Sequence, residues 1–368
     1  MPSNVYFTDL RTTFQDNLFT KLGRLLDKAG LAKAVSPRDL VAVKLHFGEM
    51  GNAAFIRPVF LRRIVKAIND TGGKPFLTDA NTLYVGTRSD APSHLATAIA
   101  NGFAPSVVNA PLIIADGLRG KSETEVSIGK KHFQSVHIAR EIFEADALVA
   151  VAHFKGHELS GFGGTIKNLG MGCASRRGKM AQHATMTPKV KAKSCVGCGA
   201  CAAHCSPGAI TVPDKVAIID KTKCIGCGEC VIVCPNEAVQ VRWAQSIPEF
   251  IEKIVEYAAG AVKNKVGKML FLNFLTHISP GCDCAPTNDM PVVADIGILA
   301  STDPVAIDQA SVDMVNAQTA LPGNCLKKNM GPGEDKFRGL YPEVDWSIQL
   351  AYGEAIGLGQ RAYKIEKV

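Results

Sequence analysis

Two runs of four cysteines with identical spacing constrain this 368-residue chain more than any other feature of its sequence. Positions 195–205 read CVGCGACAAHC and positions 224–234 read CIGCGECVIVC. Three thiolates separated by two residues each can surround one face of a cubane, and the fourth cysteine of such a run ligates the other cluster. The repeat therefore predicts two 4Fe-4S clusters, one held by Cys195, Cys198, Cys201 and Cys234, the other by Cys224, Cys227, Cys230 and Cys205.

A pair of zinc sites is the alternative that the C-x2-C units allow. Glycines at 197, 199, 226 and 228, which let backbone amides approach cluster sulfides, favour the clusters, as does Pro235 after the last cysteine. Pro207 departs from the usual pattern without removing a ligand. Two clusters imply one-electron steps, so we expect this segment to be an electron relay.

The rest of the sequence indicates a protein of the cytoplasm. The N-terminus has no basic start followed by an apolar run, and no apolar stretch approaches the roughly 18 residues needed to cross a bilayer. Cysteines in a reducing compartment remain available as thiolates for metals. The net charge of +7 is a modest surplus, and the basic run at 176–193 lacks interleaved aromatic residues, so we predict neither a nucleic-acid nor a membrane partner.

Short β-rich runs alternate with helical patterns on both sides of the cysteines, as in a layered α/β domain with a mixed or parallel sheet. Predicted strands are 40–46, 74–78, 112–115, 147–153, 268–275 and 292–299; predicted helices are 14–34, 55–69, 247–262, 304–318 and 346–356. Asp303 is the predicted N-cap of the fourth helix. The simplest organisation is one discontinuous α/β domain, 1–187 plus 243–368, interrupted by a small α+β ferredoxin-like domain at 188–242. Two independent domains flanking the insert are the alternative.

Polar residues follow each strand of the first half, where ligands gather in open α/β sheets. They are His46 and Glu49, Asp79 and Asn81, Asp116, and the stretch His153–Glu158. Candidate catalytic residues are His153, Lys155, His157, Lys167 and His277. General acid or base work by these histidines competes with a purely structural role. Gly156 and the preceding strand argue against a helix that would place His153 and His157 on one face.

The glycine-rich segment 160–183 shows few signs of regular structure, and such a loop can line a site. Its glycines match neither a P-loop nor a dinucleotide fingerprint, so no nucleotide cofactor is predicted. Lys167 and Asn168 are candidates to hold an anionic or carbonyl group, with loop stabilisation as the alternative.

Four cysteines lie outside the repeat, and three of them are candidates for a third metal or cluster. Cys282 and Cys284 follow the strand that ends near Leu275, so they should lie at the same sheet edge as His153 and Cys173. One hypothesis is that Cys282, Cys284 and Cys173 hold a third metal or cluster, with a histidine or an open iron position completing the site. The alternative is an inert turn with Cys173 as a small buried residue.

Four segments together resemble the bacterial and archaeal iron–sulfur-centre proteins grouped as domain of unknown function 362. They are HFKGHELSGFGGTIKNLGMGCASRRGKMAQH, the cysteine repeat, NFLTHISPGCDCAP and DIGILASTDPVAIDQA. The resemblance spans nearly the whole chain and implies an anaerobe-associated iron–sulfur protein with cluster ligands at the eight positions above. It implies no reaction.

Two functions remain open from the sequence. In the first, the clusters relay electrons to a site at the sheet edge, where Lys155, Lys167 or Arg176 holds a small anionic substrate and a histidine supplies protons. In the second, the protein is a non-catalytic electron carrier or metal-centre assembly protein that docks a redox partner. An electron carrier needs no substrate pocket.

Overall fold

A computed structural model of the chain describes residues 2–84, 86–183, 188–205, 207–224, 230, 233–236, 238–240 and 243–368, with only the backbone described at 243–246. Its sixteen strands within those residues are β1 Ser3–Asp9, β2 Leu40–Lys44, β3 Lys74–Asp79, β4 Leu112–Ile114, β5 Glu123–Ser127, β6 Ser135–Ala139, β7 Ala147–His153, β8 Lys155–His157, β9 Gly161–Gly163, β10 Lys189–Val190, β11 Ile210–Thr211, β12 Ile218–Ile219, β13 Val239–Gln240, β14 Met269–Leu275, β15 Gly297–Ser301 and β16 Tyr363–Lys367.

The described α-helices are α1 Leu18–Lys28, α2 Leu31–Ala34, α3 Pro58–Asp70, α4 Ala91–Ala100, α5 Pro105–Val108, α6 Arg140–Glu144, α7 Thr165–Gly170, α8 Arg176–His183, α9 Ala200–Ala203, α10 Trp243–Val262, α11 Pro304–Asn316, α12 Lys336–Leu340 and α13 Ser347–Ala355. None of them combines the length and the apolar character that a membrane-crossing helix requires.

Eight strands form one sheet in the order β16-β1-β15-β14-β7-β2-β3-β4. The sheet is mixed, because β15 runs antiparallel to both β1 and β14 while the remaining neighbours are parallel. The predicted α/β class is therefore confirmed. All seven residues of β7 are buried, which is the pattern of a central strand covered on both faces.

Alternate residues of β7 belong to two separate cores. Leu148 and Ala150 pack with α10 and α11 on one face, whereas Val149 and Val151 pack with α1 and α3 on the other. Since β14 and β15 follow the cysteine segment and complete this sheet beside β7, the residues before and after that segment share both cores.

Local signals explain the helix boundaries. The Asn17 side chain caps α1, and Gly30, with a φ of +89°, separates it from α2, so the single helix predicted at 14–34 is interrupted. Pro58 begins α3, and Gly72 follows its end with a φ of +85°. Asp303 caps α11 by accepting bonds from the amides of Val305 and Ala306, as predicted.

Two expectations need correction. The segment 160–183 is largely regular, since it contains β9, α7 and α8. The strand predicted at 292–299 begins five residues later, at Gly297, because its register is fixed by pairing with β1 and β14.

The cysteine segment has a small core of its own. Its strands form two antiparallel pairs: β10 with β13, which joins the start of the segment to its end, and β11 with β12 in its middle. Cys201, Ile210 and Val239 are buried together there, apart from the two cores of the large sheet.

Candidate active site

The carboxyl ends of β2, β3 and β7 meet at one cavity of about 220 Å³. His46, Asp79 and His153 reach it from the strand ends, as the sequence predicts, and Lys44 joins them at the end of β2. Lys155 and His157 follow on β8, and α7 adds Lys167 and Asn168. The cavity therefore combines side chains from segments more than 100 residues apart in the chain.

Asp79 lies at the centre of a buried cationic cluster. It forms ion pairs with Lys44 at 3.0 Å and with Arg88 at 3.4 Å, and Arg88 also pairs with Glu49 at 3.1 Å. Burial alone would raise the pKa of Asp79, but Lys44 and the neighbouring histidines hold it well below its usual range. The carboxylate is therefore ionised, as two buried cations require.

Asp283 is the second buried carboxylate of the site. One of its oxygens lies 2.8 Å from Nδ1 of His153, and the other lies 3.1 Å from Nζ of Lys155. Nε2 of His153 faces the carbonyl oxygens of Thr276 and His277 at 3.0 and 3.1 Å. Both ring nitrogens of His153 are therefore occupied by oxygen atoms of neighbouring residues. His153 thus positions Asp283 and has no free ring nitrogen with which to act as a base.

Cys282 and Cys284 form a thiol pair on the cavity wall. Nζ of Lys167 lies 3.3 Å from Sγ of Cys282. A hydrogen bond from Cys284 and the charges of Lys167 and Lys155 hold the pKa of Cys282 well below that of an ordinary thiol. The hydrogen bond to Cys282 and burial raise the pKa of Cys284, so Cys282 is the more acidic thiol of the pair.

His157 lies beside this pair, with one ring nitrogen and both Sγ atoms within 4.8 Å of one another. Among the residues described, this is the one group of three His, Cys, Asp or Glu side chains close enough to share a metal ion, and its nitrogen and sulfur donors suit soft transition metals. Burial and the charge of Lys167 hold the pKa of His157 well below its usual range, so the ring is neutral. Nδ1 accepts the amides of Leu159 and Ser160 at 3.1 and 3.2 Å, which places the ring proton on Nε2.

Two of the predicted site residues lie elsewhere. Cys173 is buried in the core, its Sγ is 3.6 Å from the carbonyl oxygen of Asn168, and burial raises its pKa to about 11. It belongs neither to the cavity wall nor to the group formed by Cys282 and Cys284, so the predicted trio of cysteines is not brought together. His277 adopts a φ of +47° and does not line the cavity.

The sequence reasoning missed four charged residues of the site: Lys44, Arg88, Lys179 and Asp283. Lys44 carried a signal, because a lysine within the apolar run LVAVKLHF needs a buried partner. Lys179 lines the cavity and donates to the carbonyl oxygen of Ala174 at 2.9 Å. Burial lowers the pKa of Lys179 to about 8, against the charges of Asp116 and Asp79. Arg176, predicted to hold substrate, is not in the cavity wall.

A second, much smaller cavity lies in the cysteine segment and is lined by Cys195, Cys198, Cys201 and Cys234. The amides of Ala217 and Ala238 donate to Sγ of Cys195 and Cys234 at 3.4 and 3.2 Å.

The other four cysteines of the repeat are Cys205, Cys224, Cys227 and Cys230. The amide of Ala209 donates to Sγ of Cys205 at 3.2 Å, and Cys230 is buried in the core of the segment. Cys227 lies outside the described residues.

The family model described as Domain of unknown function (DUF362) matches residues 41–313. Two solved structures are similar at low identity. The lactate racemase apoprotein from Thermoanaerobacterium thermosaccharolyticum is 14% identical with a TM-score of 0.38, over 74% of this chain and 51% of that one. A protein from Thermotoga maritima is 12% identical with a TM-score of 0.30, over 70% of this chain and 49% of that one. The chain thus spans about half the length of these two structures. No curated protein matches it.

Proposed function

We propose, from the premise that this chain belongs to the DUF362 family, that it is an iron–sulfur redox enzyme. Two 4Fe-4S clusters in the cysteine segment would supply electrons to the cavity at the edge of the large sheet, where a small anionic substrate binds. The observation that carries the proposal is the grouping of three cysteines from the first run with the last cysteine of the second around one small cavity.

That grouping is the crossed ligand set expected of a two-cluster ferredoxin. Cys195, Cys198, Cys201 and Cys234 would hold one cluster, and Cys205, Cys224, Cys227 and Cys230 the other. The amide N–H groups directed at Sγ of Cys195, Cys205 and Cys234 fit this role, because such bonds stabilise thiolate ligands. When bound, 4Fe-4S clusters supply one-electron transfer.

The charges of the large cavity support an anionic substrate. Four lysines and one arginine line it: Lys44, Lys155, Lys167, Lys179 and Arg88. Asp79 is shared by two cationic side chains, and Asp283 lies between Lys155 and His153. Lys179 has no ion-pair partner within the part of the chain that the structure describes. A small anion in the cavity would complete the charge balance of this wall.

Lys179 is also suited to proton transfer. An acid with a pKa of about 8 is close to the value at which general acid catalysis at neutral pH is efficient. His153 is committed to Asp283 and the two carbonyl oxygens, so its contribution is to orient the loop that carries Cys282 and Cys284. A cavity lined by cationic side chains and two cysteines favours an enzyme over an electron carrier, because an electron carrier needs no substrate pocket.

Measurement of iron and acid-labile sulfide per chain, under strict anaerobiosis, tests the proposal. We expect about eight irons and about eight sulfides per chain, with the electron paramagnetic resonance signals of reduced cubanes. Cys198→Ser should lose about half of the iron, whereas Cys325→Ser, which alters an exposed cysteine outside the repeat, should lose none. Bound zinc without acid-labile sulfide would overturn the assignment.

A further inference from the structure

We propose that Cys282 and Cys284 are a redox-active dithiol that reduces small anionic disulfides in the large cavity. This inference rests on the proposed function, because the electrons that restore the dithiol come from the iron–sulfur segment. It assigns the two cysteines to electron transfer through sulfur instead of to metal binding.

The turn that carries the two cysteines favours a bond between them. The amide of Ala285 donates to the carbonyl oxygen of Cys282 at 3.1 Å, which closes a four-residue turn around the pair. The two Sγ atoms lie within 4.8 Å of each other, and both residues line the cavity. Asp283 lies between the two cysteines in the chain, and its carboxylate anchors the loop by binding His153 and Lys155. Closure to a disulfide would bring the two sulfurs from within 4.8 Å of each other to about 2 Å inside this turn.

The surroundings of the pair select Cys282 as the attacking sulfur. Nζ of Lys167 lies 3.3 Å from Sγ of Cys282, and an ammonium at this distance stabilises a thiolate. The thiolate is the form that attacks a disulfide. Cys284 then remains as the protonated partner that resolves the mixed disulfide.

The ring of His157 argues against a metal at this position. A histidine binds a metal through a nitrogen that carries no proton, and Nδ1 of His157 is already occupied by two amide donors. Nε2 carries the proton, so the ring has a hydrogen bond to offer to a thiolate and no free lone pair for a metal. Both amide bonds would have to break before His157 could become a ligand.

The cationic wall determines which disulfides enter. Lys44, Lys155 and Lys179 line the same cavity as the thiol pair. A disulfide with a carboxylate at each end would meet opposite charge on approach, whereas a disulfide with ammonium ends would be repelled. A volume of about 220 Å³ admits only a small molecule.

The exchange balances in atoms and electrons. The Cys282 thiolate attacks one sulfur of the substrate R–S–S–R, which forms a mixed disulfide and releases RS⁻. Cys284 loses its proton to the released thiolate, giving RSH, and its sulfur attacks Cys282, which releases the second RS⁻ and leaves a Cys282–Cys284 disulfide. Two single electrons from a reduced iron–sulfur donor and one proton restore the thiolate and the thiol. The sum is R–S–S–R + 2e⁻ + H⁺ → RS⁻ + RSH.

The test uses the cluster-containing protein, reduced with dithionite under anaerobic conditions and then desalted. It is mixed with dithiodiglycolate, a disulfide with two carboxylates, or with cystamine, its counterpart with two ammonium groups. Free thiols are trapped by alkylation, and mass spectrometry reports the state of each cysteine. We expect a Cys282–Cys284 disulfide and about four thioglycolates per chain, two from the dithiol and two from the single electrons of the two reduced clusters, with a preference for dithiodiglycolate of about 10-fold or more.

Serine variants of each cysteine distinguish the attacking sulfur from the resolving sulfur. Cys284→Ser should stop at a mixed disulfide on Cys282 with one thioglycolate released, and Cys282→Ser should slow release by about 100-fold or more. Cys325→Ser should behave as the wild-type protein. Equal rates with both disulfides would overturn the substrate class that we propose.

Metal analysis of the same samples distinguishes failure of the dithiol proposal from failure of the proposed function. Full iron and sulfide content without a Cys282–Cys284 disulfide would overturn the dithiol and leave the proposed function standing. A metal ion beyond the cluster iron that is lost in Cys282→Ser would replace the dithiol by a metal site. Absence of iron and sulfide would remove the electron donor and overturn both.

Discussion

Lys44 and Asp79 end two neighbouring parallel strands and form an ion pair of 3.0 Å in which neither side chain is more than 4% exposed. Asp79 also holds Arg88. Removal of this carboxylate leaves two buried cations without their shared partner, so Asp79→Ala should lower the free energy of unfolding by about 3–5 kcal/mol. Urea titration measures the loss.

Asp70→Ala provides the control for Asp79→Ala. Asp70 pairs with Lys66 on the exposed surface of α3, and its loss should change the free energy of unfolding by no more than about 0.5 kcal/mol. Equal losses in the two variants would contradict the importance of burial at Asp79.

A second prediction concerns Asp308, whose carboxylate accepts the amides of Thr165 and Ile166 at the start of α7. Burial raises the pKa of Asp308 from 3.8 to about 6, although these bonds and Asn273 oppose the shift. Between pH 4 and 6 the folded protein therefore holds a proton that the unfolded chain releases, so stability from this group is lost as pH rises through that window. The loss should approach about 2–3 kcal/mol above pH 6.

Urea titrations at pH 4.5 and pH 7 test the Asp308 prediction in the wild-type protein and Asp308→Asn. The difference in stability between the two pH values should be smaller in the variant. Identical pH dependence in both proteins would exclude the assignment.

Lys179 should make anion binding depend on pH. Because burial lowers its pKa to about 8, its charge is present at pH 7 and lost as pH rises above 8. Calorimetric titration of the reduced protein with malonate should show weaker binding at pH 9 than at pH 7. Lys179→Arg should retain binding at pH 9, since a guanidinium keeps its charge there. Affinity that stays constant to pH 9 in the wild-type protein would remove Lys179 from the binding site.

The two thiols of the cavity should differ in reactivity at low pH. At pH 6, iodoacetamide should label Cys282 faster than Cys284, because the hydrogen bond from Cys284 and the charge of Lys167 lower the pKa of Cys282. Lys167→Met should slow the labelling of Cys282 by about 10-fold or more. Loss of the ammonium raises the pKa of Cys282, so less thiolate is present to react. Cys325 is an internal reference, and equal labelling of Cys282 with and without Lys167 would contradict the contact between them.

If the two runs of cysteines exchange their fourth ligands, the losses of iron in double variants depend on which cluster each cysteine binds. Cys198→Ser and Cys234→Ser alter the same cavity although the two residues belong to different runs of the repeat. The double variant should therefore lose no more iron than either single variant, whereas Cys198→Ser combined with Cys205→Ser should lose both clusters. Iron analysis of the single and double variants tests this. Additive losses of iron from Cys198→Ser and Cys234→Ser would contradict the crossed arrangement.

Periodicity and turn residues predicted most of the central sheet, because the buried strands β2, β7 and β14 are largely apolar runs. The gathering of polar side chains at the carboxyl ends of the strands was predicted because ligands bind there in open α/β sheets. The helix α7 was missed because its first turn has no local cap: Gly164 precedes it, and the carboxylate that accepts its amides belongs to Asp308, far along the chain.

The details of the candidate site depend on partners that sequence spacing does not reveal. Asp283 was passed over between two cysteines, yet it is the residue that fixes His153 and Lys155. Cys173 was grouped with Cys282 and Cys284 because it lies near the same sheet edge, but its side chain turns into the core. Such orientations follow from packing of distant segments.

The rings of His183 and Phe250 lie 4.7 Å apart, one at the end of α8 and the other on α10. This contact closes the chain between them into a loop, and the entropy of closing a loop grows only with the logarithm of its length. Each doubling of the intervening chain costs about 0.6 kcal/mol, so lengthening a tight turn of about four residues to the roughly 66 residues between these rings costs about 2.4 kcal/mol. The large sheet therefore carries the cysteine segment for a fraction of the stability of a typical domain, and a short linker in its place should return about the same free energy.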